Sequence, residues 1–407
     1  MRFIVLLITF LAIGSLLEWY TYSALSSRWD HWSPWLKHTT KITFFVLLGL
    51  GFISLIMLFV FGPYFSRAVL NFWFSFLLIN FFTKFFFAFI LLIDDIRRLS
   101  IFTQRKISGV PIENGISRSD FLVKTGLSLA SVPLVGLSYG MLAGPYRYKV
   151  RNQKVKLDKL PKAFDGLKIV QISDIHSGSF YNSEAVERGV DLIMAQNADV
   201  IFFTGDIVND RAEEMEPYME IFSRLNAPLG VYSILGNHDY GDYVRWESDE
   251  AKENNNKKIR ELHGELGWRL LLNEHLYLEK EGDKIGLIGV ENWGKGFHQV
   301  GDLAKAYEGC EADVKLLLSH DPTHFDEVVK KEYPDIDIMF AGHTHGAQIG
   351  IETGGFKWSP IQLRYKKWAG LYEENGQYLY VNRGFGFLGY AGRLGIMPEI
   401  TVMELTT

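Results

Sequence analysis

The sequence predicts an α/β domain preceded by an α-helical membrane region, and three observations carry that expectation. The front third contains apolar runs long enough to cross a bilayer. From about Tyr146, short apolar runs alternate with amphipathic stretches, as buried strands alternate with helices. Short motifs rich in Asp, His, Asn and Gly then follow several of those apolar runs directly. These features divide the chain into a membrane region over residues 1–145 and a second domain over residues 146–407.

In the front third, Ile42 to Phe61 is twenty residues without a charge, and as a helix it spans ~30 Å, the thickness of a bilayer core. Val69 to Ile93 is a second run, broken only by Asn71, Asn80, Lys84 and small hydroxyl residues. Gly62 to Arg67 between them is short enough for an antiparallel hairpin. Phe3 to Leu17 is shorter and is expected to be a retained span, because no small-residue cleavage site follows it. Phe121 to Ala143 is a fourth run that carries Lys124, Gly126, Pro133, Gly136 and Gly140, which makes three to four spans in all. Lys84 has no obvious acidic partner in the sequence and is expected to snorkel or to face a neighbouring helix.

Arg28, Lys37 and Lys41 precede the second run, and Arg97, Arg98, Arg105, Lys106 and Arg118 follow the third. By the positive-inside rule both loops face the cytoplasm of a bacterial membrane. A crossing fourth run then puts the second domain outside, which is the side the expectation leans to. The basic stretch Arg147 to Lys156 argues the other way.

A net charge of −5 disfavours a nucleic-acid binder that relies on a basic surface. The single cysteine, Cys310, excludes an intramolecular disulfide framework and a thiolate metal cluster.

In the second domain Leu167–Ile172, Asp199–Val208, Gly230–Leu235, Ile285–Val290, Val314–Ser319, Ile336–Ala341 and Tyr378–Val381 are expected as buried strands. Ser183 to Gln196 is expected as a helix capped by Ser183, with Val186, Val190, Ile193 and Met194 on one face. Glu214 to Leu225 and Lys257 to Leu266 are further helices. Glu247 to Lys258 is expected as a linker or surface insertion, and Gly354 to Lys367 as an irregular excursion.

The chemistry lies in Asp174-Ile-His176, Gly205-Asp206, Gly236-Asn237-His238-Asp239, His320 and Gly342-His343-Thr-His345. Carboxylate and imidazole two residues apart, just past a strand end, can turn towards one divalent ion such as Mn, Fe or Zn. Gly205 permits a sharp turn before Asp206. Two histidines two apart between glycines have the pattern of metal ligands. Each motif alone is commonly a turn, but five of them in series at strand ends point to a metal centre.

This order resembles the calcineurin-like metallophosphoesterase family over roughly Leu167 to His345. The tail Asn382-Arg383-Gly384-Phe-Gly386, Arg393 and Pro398-Glu399-Ile400 resembles the membrane-anchored bacterial branch, which includes proteins similar to UDP-2,3-diacylglucosamine pyrophosphatases of lipid A synthesis. The resemblance implies a four-layer β-sandwich flanked by helices, two divalent metal ions and hydrolysis of a phosphoester or phosphoanhydride bond. It implies that Asp174, His176 and His345 hold one metal, that Asp206 bridges, and that Asn237, His320 and His343 hold the other. His238 is implied as the catalytic histidine at the phosphoryl oxygen or leaving group, with Asn209 and Asp239 in support. Asn209 stands where the family often has an aspartate that supports the histidine, and Ala347 replaces a common glycine. The expected partners are the lipid bilayer and a phosphorylated small molecule or lipid. The alternative is a membrane signalling protein whose metal domain senses a phosphorylated ligand without turnover.

Overall fold

The computed structural model describes residues 2–109 and 117–407, with the backbone alone for residues 2–11 and 63. It divides into two compact units, one of residues 1–65 and 69–140 and one of residues 66–68 and 141–407.

The first unit is helical: α1 (Arg2–Ser26), α2 (Pro34–Phe59), α3 (Arg67–Ile107) and α4 (Asp120–Ala143). Ser33 caps α2 by accepting from Leu36 N, and Pro34 takes the first helical position, where its missing N–H costs nothing. Among the described residues α2, α3 and α4 are long and apolar enough to cross a membrane. α3 is 41 residues long and so extends ~60 Å, well beyond the apolar run that announces it. Its last turns carry Asp94, Asp95, Arg97 and Arg98, which pair with one another at i, i+3. Lys84 does have an acidic partner: it is buried and forms an ion pair with Glu18 of α1. The sequence conceals this pairing because the two residues are far apart in the chain.

The second unit holds two six-stranded sheets. Their strands are β1 (Lys149–Lys156), β2 (Leu167–Ile172), β3 (Val200–Phe203), β4 (Val231–Ser233), β5 (Arg269–Leu270), β6 (Glu274–Lys280), β7 (Asp283–Gly289), β8 (Lys315–Leu318), β9 (Ile338–Ala341), β10 (Ile351–Thr353), β11 (Phe356–Trp358), β12 (Gly370–Glu374), β13 (Gln377–Val381) and β14 (Glu399–Thr406). The first sheet runs β1-β14-β2-β3-β4-β5 and the second β12-β13-β9-β8-β7-β6, with β10 and β11 a separate hairpin. β2, β3, β4 and β5 are mutually parallel, as are β13, β9, β8 and β7.

Strand alternation explains why these segments are apolar throughout. Ile169, Val200 and Phe202 pack inward against Leu316, Leu318, Ile338 and Phe340 of the other sheet. Val170, Ile172, Ile201 and Phe203 face outward to a layer containing α5 (Ser183–Met194) and α7 (Asp249–Glu265), joined by the short α6 (Met219–Phe222). Leu317, Met339 and Ala341 face a second outer layer that includes α8 (Leu303–Tyr307). The result is helix, sheet, sheet, helix, the expected four layers.

Several local expectations are corrected. Asn182, not Ser183, caps α5, its side chain accepting from Ala185 N. The third strand ends at Phe203, and the chain turns through Gly205. The helix expected at Glu214–Leu225 is a 3₁₀ segment, Ala212–Tyr218, followed by α6, because Pro217 cannot donate within it. The stretch expected as a linker from Glu247 is mostly helix: α7 starts at Asp249, capped by Ser248. Gly354 and Gly355, at φ +55° and +84°, turn the β10–β11 hairpin inside the stretch expected to be irregular.

Phe202 is fully buried between the sheets and meets Phe340 edge to face with ring centroids 5.3 Å apart. Phe202→Ala should cost about 3–5 kcal/mol, read as a lower urea midpoint of the full chain. A loss under about 1 kcal/mol would mean that the sheets do not pack through this residue.

Candidate metal centre

The site residues follow the ends of parallel strands from both sheets. Asp174 and His176 follow β2, Asp206 follows β3, Asn237 and His238 follow β4, His320 follows β8, and His343 and His345 follow β9. The loops are joined across the sheets. Gln171 Nε2 donates to the carbonyl of Ala341 at 2.9 Å and to Thr204 Oγ1 at 3.0 Å. His343 N donates to both oxygens of Asp174 at 3.0 Å.

The backbone there is unusual. Asp174, His176, Asp206, His343 and His345 all have positive φ, between +47° and +70°. Non-glycine residues in this left-handed region are uncommon, and such strain gathers at functional sites. Close approach also requires glycine at Gly342, where a Cβ would lie 1.9 Å from Ser173 Oγ and 2.3 Å from Asp174 Oδ2.

Two clusters of ligand-type atoms result. Asp174, His176 and His345 form one, and Asp206, His320 and His343 the other, each with its atoms within 4.8 Å of one another. In the first, the Nε2 atoms of His176 and His345 are 3.0 Å apart, and Asp174 Oδ1 is 3.3 Å from His345 Nε2. In the second, His320 Nε2 lies 3.3 Å from His343 Nδ1. Asp206 Oδ2 reaches towards both, 3.5 Å from His176 Nε2 and 3.1 Å from His320 Nε2.

These donors suit divalent cations. His320 Nδ1 donates to the carbonyl of Thr204 at 2.7 Å, which turns the lone pair of Nε2 towards the cluster. Asn237 Nδ2 donates to Tyr243 Oη at 2.8 Å, while Asn237 Oδ1 is buried with no partner among the described residues. Burial holds His176 down to about 3 and His343 down to about 4, so both are neutral, the form a metal requires. Burial alone would raise Asp206, but His320, His238 and His176 hold it well below the usual carboxylate range. His320 is pulled against its burial up to about 10 by Asp206 and Asp174. Asp206 and Asp174 thus favour positive charge at this position, which a divalent cation would supply to the same carboxylates.

Asp239 belongs to neither cluster. Its carboxylate accepts from Gly236 N at 2.8 Å and from Asp206 N and Ile207 N at 2.9 Å, which locks two strand-end loops together. Asp206 Oδ1 in turn accepts from His238 N at 2.9 Å. His238 Nδ1 is 2.7 Å from the backbone carbonyl of Asn209, and the Asn209 amide instead donates to Ser179 Oγ at 3.0 Å. The expected support from Asn209 therefore comes from its main chain. The Tyr243 ring lies against that of His238, centroids 4.4 Å apart and planes tilted by 32°, and Tyr365 Oη lies 2.8 Å from His343 Nε2. Neither tyrosine carries a sequence signal, since each lies in a loop outside any motif. Fully buried Arg393 donates to the carbonyls of Arg383 and Gly384 and to that of His345, fastening the tail loop to the site.

Glu214 Oε2 accepts from Asn209 N at 2.5 Å, and burial pushes this carboxyl up from 4.5 to about 7. Its charged form is disfavoured in the folded state, so stability should fall as pH rises from 4.5 towards 7 and stay lower above. Glu214→Gln should therefore raise the melting temperature at pH 8 but not at pH 4.5, a gain of about 1–3 kcal/mol. Equal effects at both pH values would refute the assignment.

Residues 167–347 match the family described as calcineurin-like phosphoesterase, and residues 1–145 match a probable calcineurin-like phosphoesterase transmembrane domain. The uncharacterized metallophosphoesterase YkuE of Bacillus subtilis is 29% identical over 303 residues, covering 71% of this chain and 98% of that protein. A transmembrane protein with metallophosphoesterase domain from Danio rerio is 28% identical over 283 residues, covering 66% of this chain and 59% of that one. The chain thus spans about three fifths of the length of that vertebrate relative. The chain therefore carries a calcineurin-like metallophosphoesterase domain, which holds the two Asp/His clusters, behind a transmembrane phosphoesterase domain.

Proposed function

We propose that residues 146–407 form a two-metal hydrolase of phosphoester or pyrophosphate bonds, anchored by the membrane domain of residues 1–145. The observation that supports this most is the pair of Asp/His clusters with Asp206 reaching towards both. Asp174, His176 and His345 would hold one divalent cation, Mn, Fe or Zn, and Asn237, His320 and His343 the other, with Asp206 shared. Bound cations would polarise a phosphoryl oxygen and lower the pKa of water. The protein's own part is to keep His176, His343 and His345 neutral, to aim the imidazoles, and to hold His238 beside them. With Nδ1–H given to the Asn209 carbonyl, Nε2 of His238 is the nitrogen left to face the substrate, and as an imidazolium it would pass the Nε2 proton to the departing oxygen. UDP-2,3-diacylglucosamine is the specific substrate to assay first, beside simple aryl phosphate mono- and diesters. The catalytic domain is proposed to lie outside the cytoplasm, so reporter fusions at Thr407 should read that side and fusions at Tyr64 the same one.

Aryl phosphoester hydrolysis should be abolished by exhaustive chelation and restored by Mn. Activity that survives chelation would end this reading. Asp206→Asn should lower the metal content well below two ions per chain, because the shared carboxylate serves both clusters.

His238→Ala should keep its metal while turnover falls by roughly 10²–10⁴, less for nitrophenyl esters than for alkyl esters with poorer leaving groups. Asn209→Ala retains the main-chain carbonyl and should stay within a few-fold of wild type. Metal loss in His238→Ala would make His238 a ligand.

A further inference from the structure

The membrane unit contains a polar site that an anchor does not need. Two cavities lie among its helices, of about 400 Å³ and about 300 Å³, and Lys84 lines both. Both fall within or at the edge of the ~300–1,000 Å³ usual for small-molecule sites. Ionisable groups inside a membrane are costly and are seldom kept without use.

The smaller cavity is lined by Glu18, Asn80 and Lys84 together with Leu48, Phe52 and Leu77. Asn80 is 92% buried, and its amide nitrogen packs against α2 where Gly51 lacks a Cβ. That leaves Asn80 Oδ1 buried with no hydrogen-bond partner among the described residues, and Glu18 Oε2 is buried without one among them as well. Lys84 is already satisfied in charge, paired with the carboxylate of Glu18 and lying 4.8 Å from the Phe44 ring centroid. In the larger cavity the hydroxyls of Thr21, Thr40, Thr83 and Ser131 donate to carbonyls of their own helices and so offer lone pairs to it.

Two buried acceptors at this cavity are therefore without donors, and an occupant that pairs them must bring its own into an apolar, lipid-walled space. A phosphate would leave Asn80 Oδ1 and Glu18 Oε2 unpaired and would repel the carboxylate. A hydroxyl donates to one of those oxygens and can accept from a remaining proton of Lys84. We propose that Glu18, Asn80 and Lys84 form an intramembrane binding site for a neutral lipid with a free hydroxyl, its head in the smaller cavity and its chains continuing into the surrounding bilayer. The inference does not depend on the phosphoesterase reading.

The test uses the full chain in phosphatidylcholine nanodiscs with photoactivatable 1,2-diacylglycerol as the probe. Crosslinking should saturate at one probe per chain on helices α1 to α3. Unlabelled diacylglycerol should compete at least tenfold better than its 3-acetyl derivative or phosphatidic acid. Asn80→Leu removes the acceptor and Leu77→Trp fills the cavity from another wall, and each should weaken labelling at least tenfold. If Asn80→Leu does not fold, Leu77→Trp carries the test alone. Labelling no greater than that of bulk lipid, equal competition by the blocked or phosphorylated lipid, or labelling unchanged in the folded variants would overturn the proposal.

Discussion

Left-handed backbone at five acid and imidazole positions is the constraint on which the site rests. Each such residue costs of order 1–3 kcal/mol, and all five lie within the same small region. The cost is offset locally by carboxylates that accept main-chain N–H groups. Asp239 gathers four of them, Asp174 takes that of His343 and Asp206 takes that of His238. Each carboxylate therefore has a structural duty, and for Asp174 and Asp206 it comes on top of any chemical one. A neutral replacement at either position disturbs loop geometry and charge together. Asp239 separates the two, since it fixes loops without joining a cluster.

The site also depends on the two sheets ending at the same place. Asp174, Asp206 and Asn237 come from the first sheet, and His320, His343 and His345 from the second. Contacts between Gln171 and Ala341, and between His320 and Thr204, keep these halves in register. The apolar layer between the sheets, with Phe202 against Phe340, lies directly beneath them. Packing between the sheets thus sets how closely the two halves of each cluster approach one another.

Much of this was legible in the sequence, for particular reasons. Strands buried on both faces, such as Val200–Phe203 and Ile338–Ala341, are unbroken apolar runs, and the polar motifs that follow them mark where they end. The polar strand β1, with four lysine or arginine residues among eight, has no such signature because it lies at a sheet edge. Those same basic residues enter a charge count for membrane orientation, although their structural setting is an edge strand. The carbonyl of Asn209 as partner of His238 was out of reach for a different reason: a main-chain atom leaves no trace in residue identity. Pairings such as Lys84 with Glu18 were equally hidden, since sequence separation says nothing about which helices adjoin.

The strand order of the first sheet has one more consequence. β14 is inserted between β1 and β2, parallel to the former and antiparallel to the latter, although more than two hundred residues separate it from them. During translation β1 and β2 leave the ribosome with their shared gap unfilled, and the edge of β2 stays open until residues 399–406 arrive. A pairing of such high contact order is slow, and an open apolar edge is prone to association while it waits. The nascent domain should therefore be a client for chaperones through most of its synthesis. A ribosome that stalls before codon 399 would release a chain with every candidate metal ligand present and its first sheet still open.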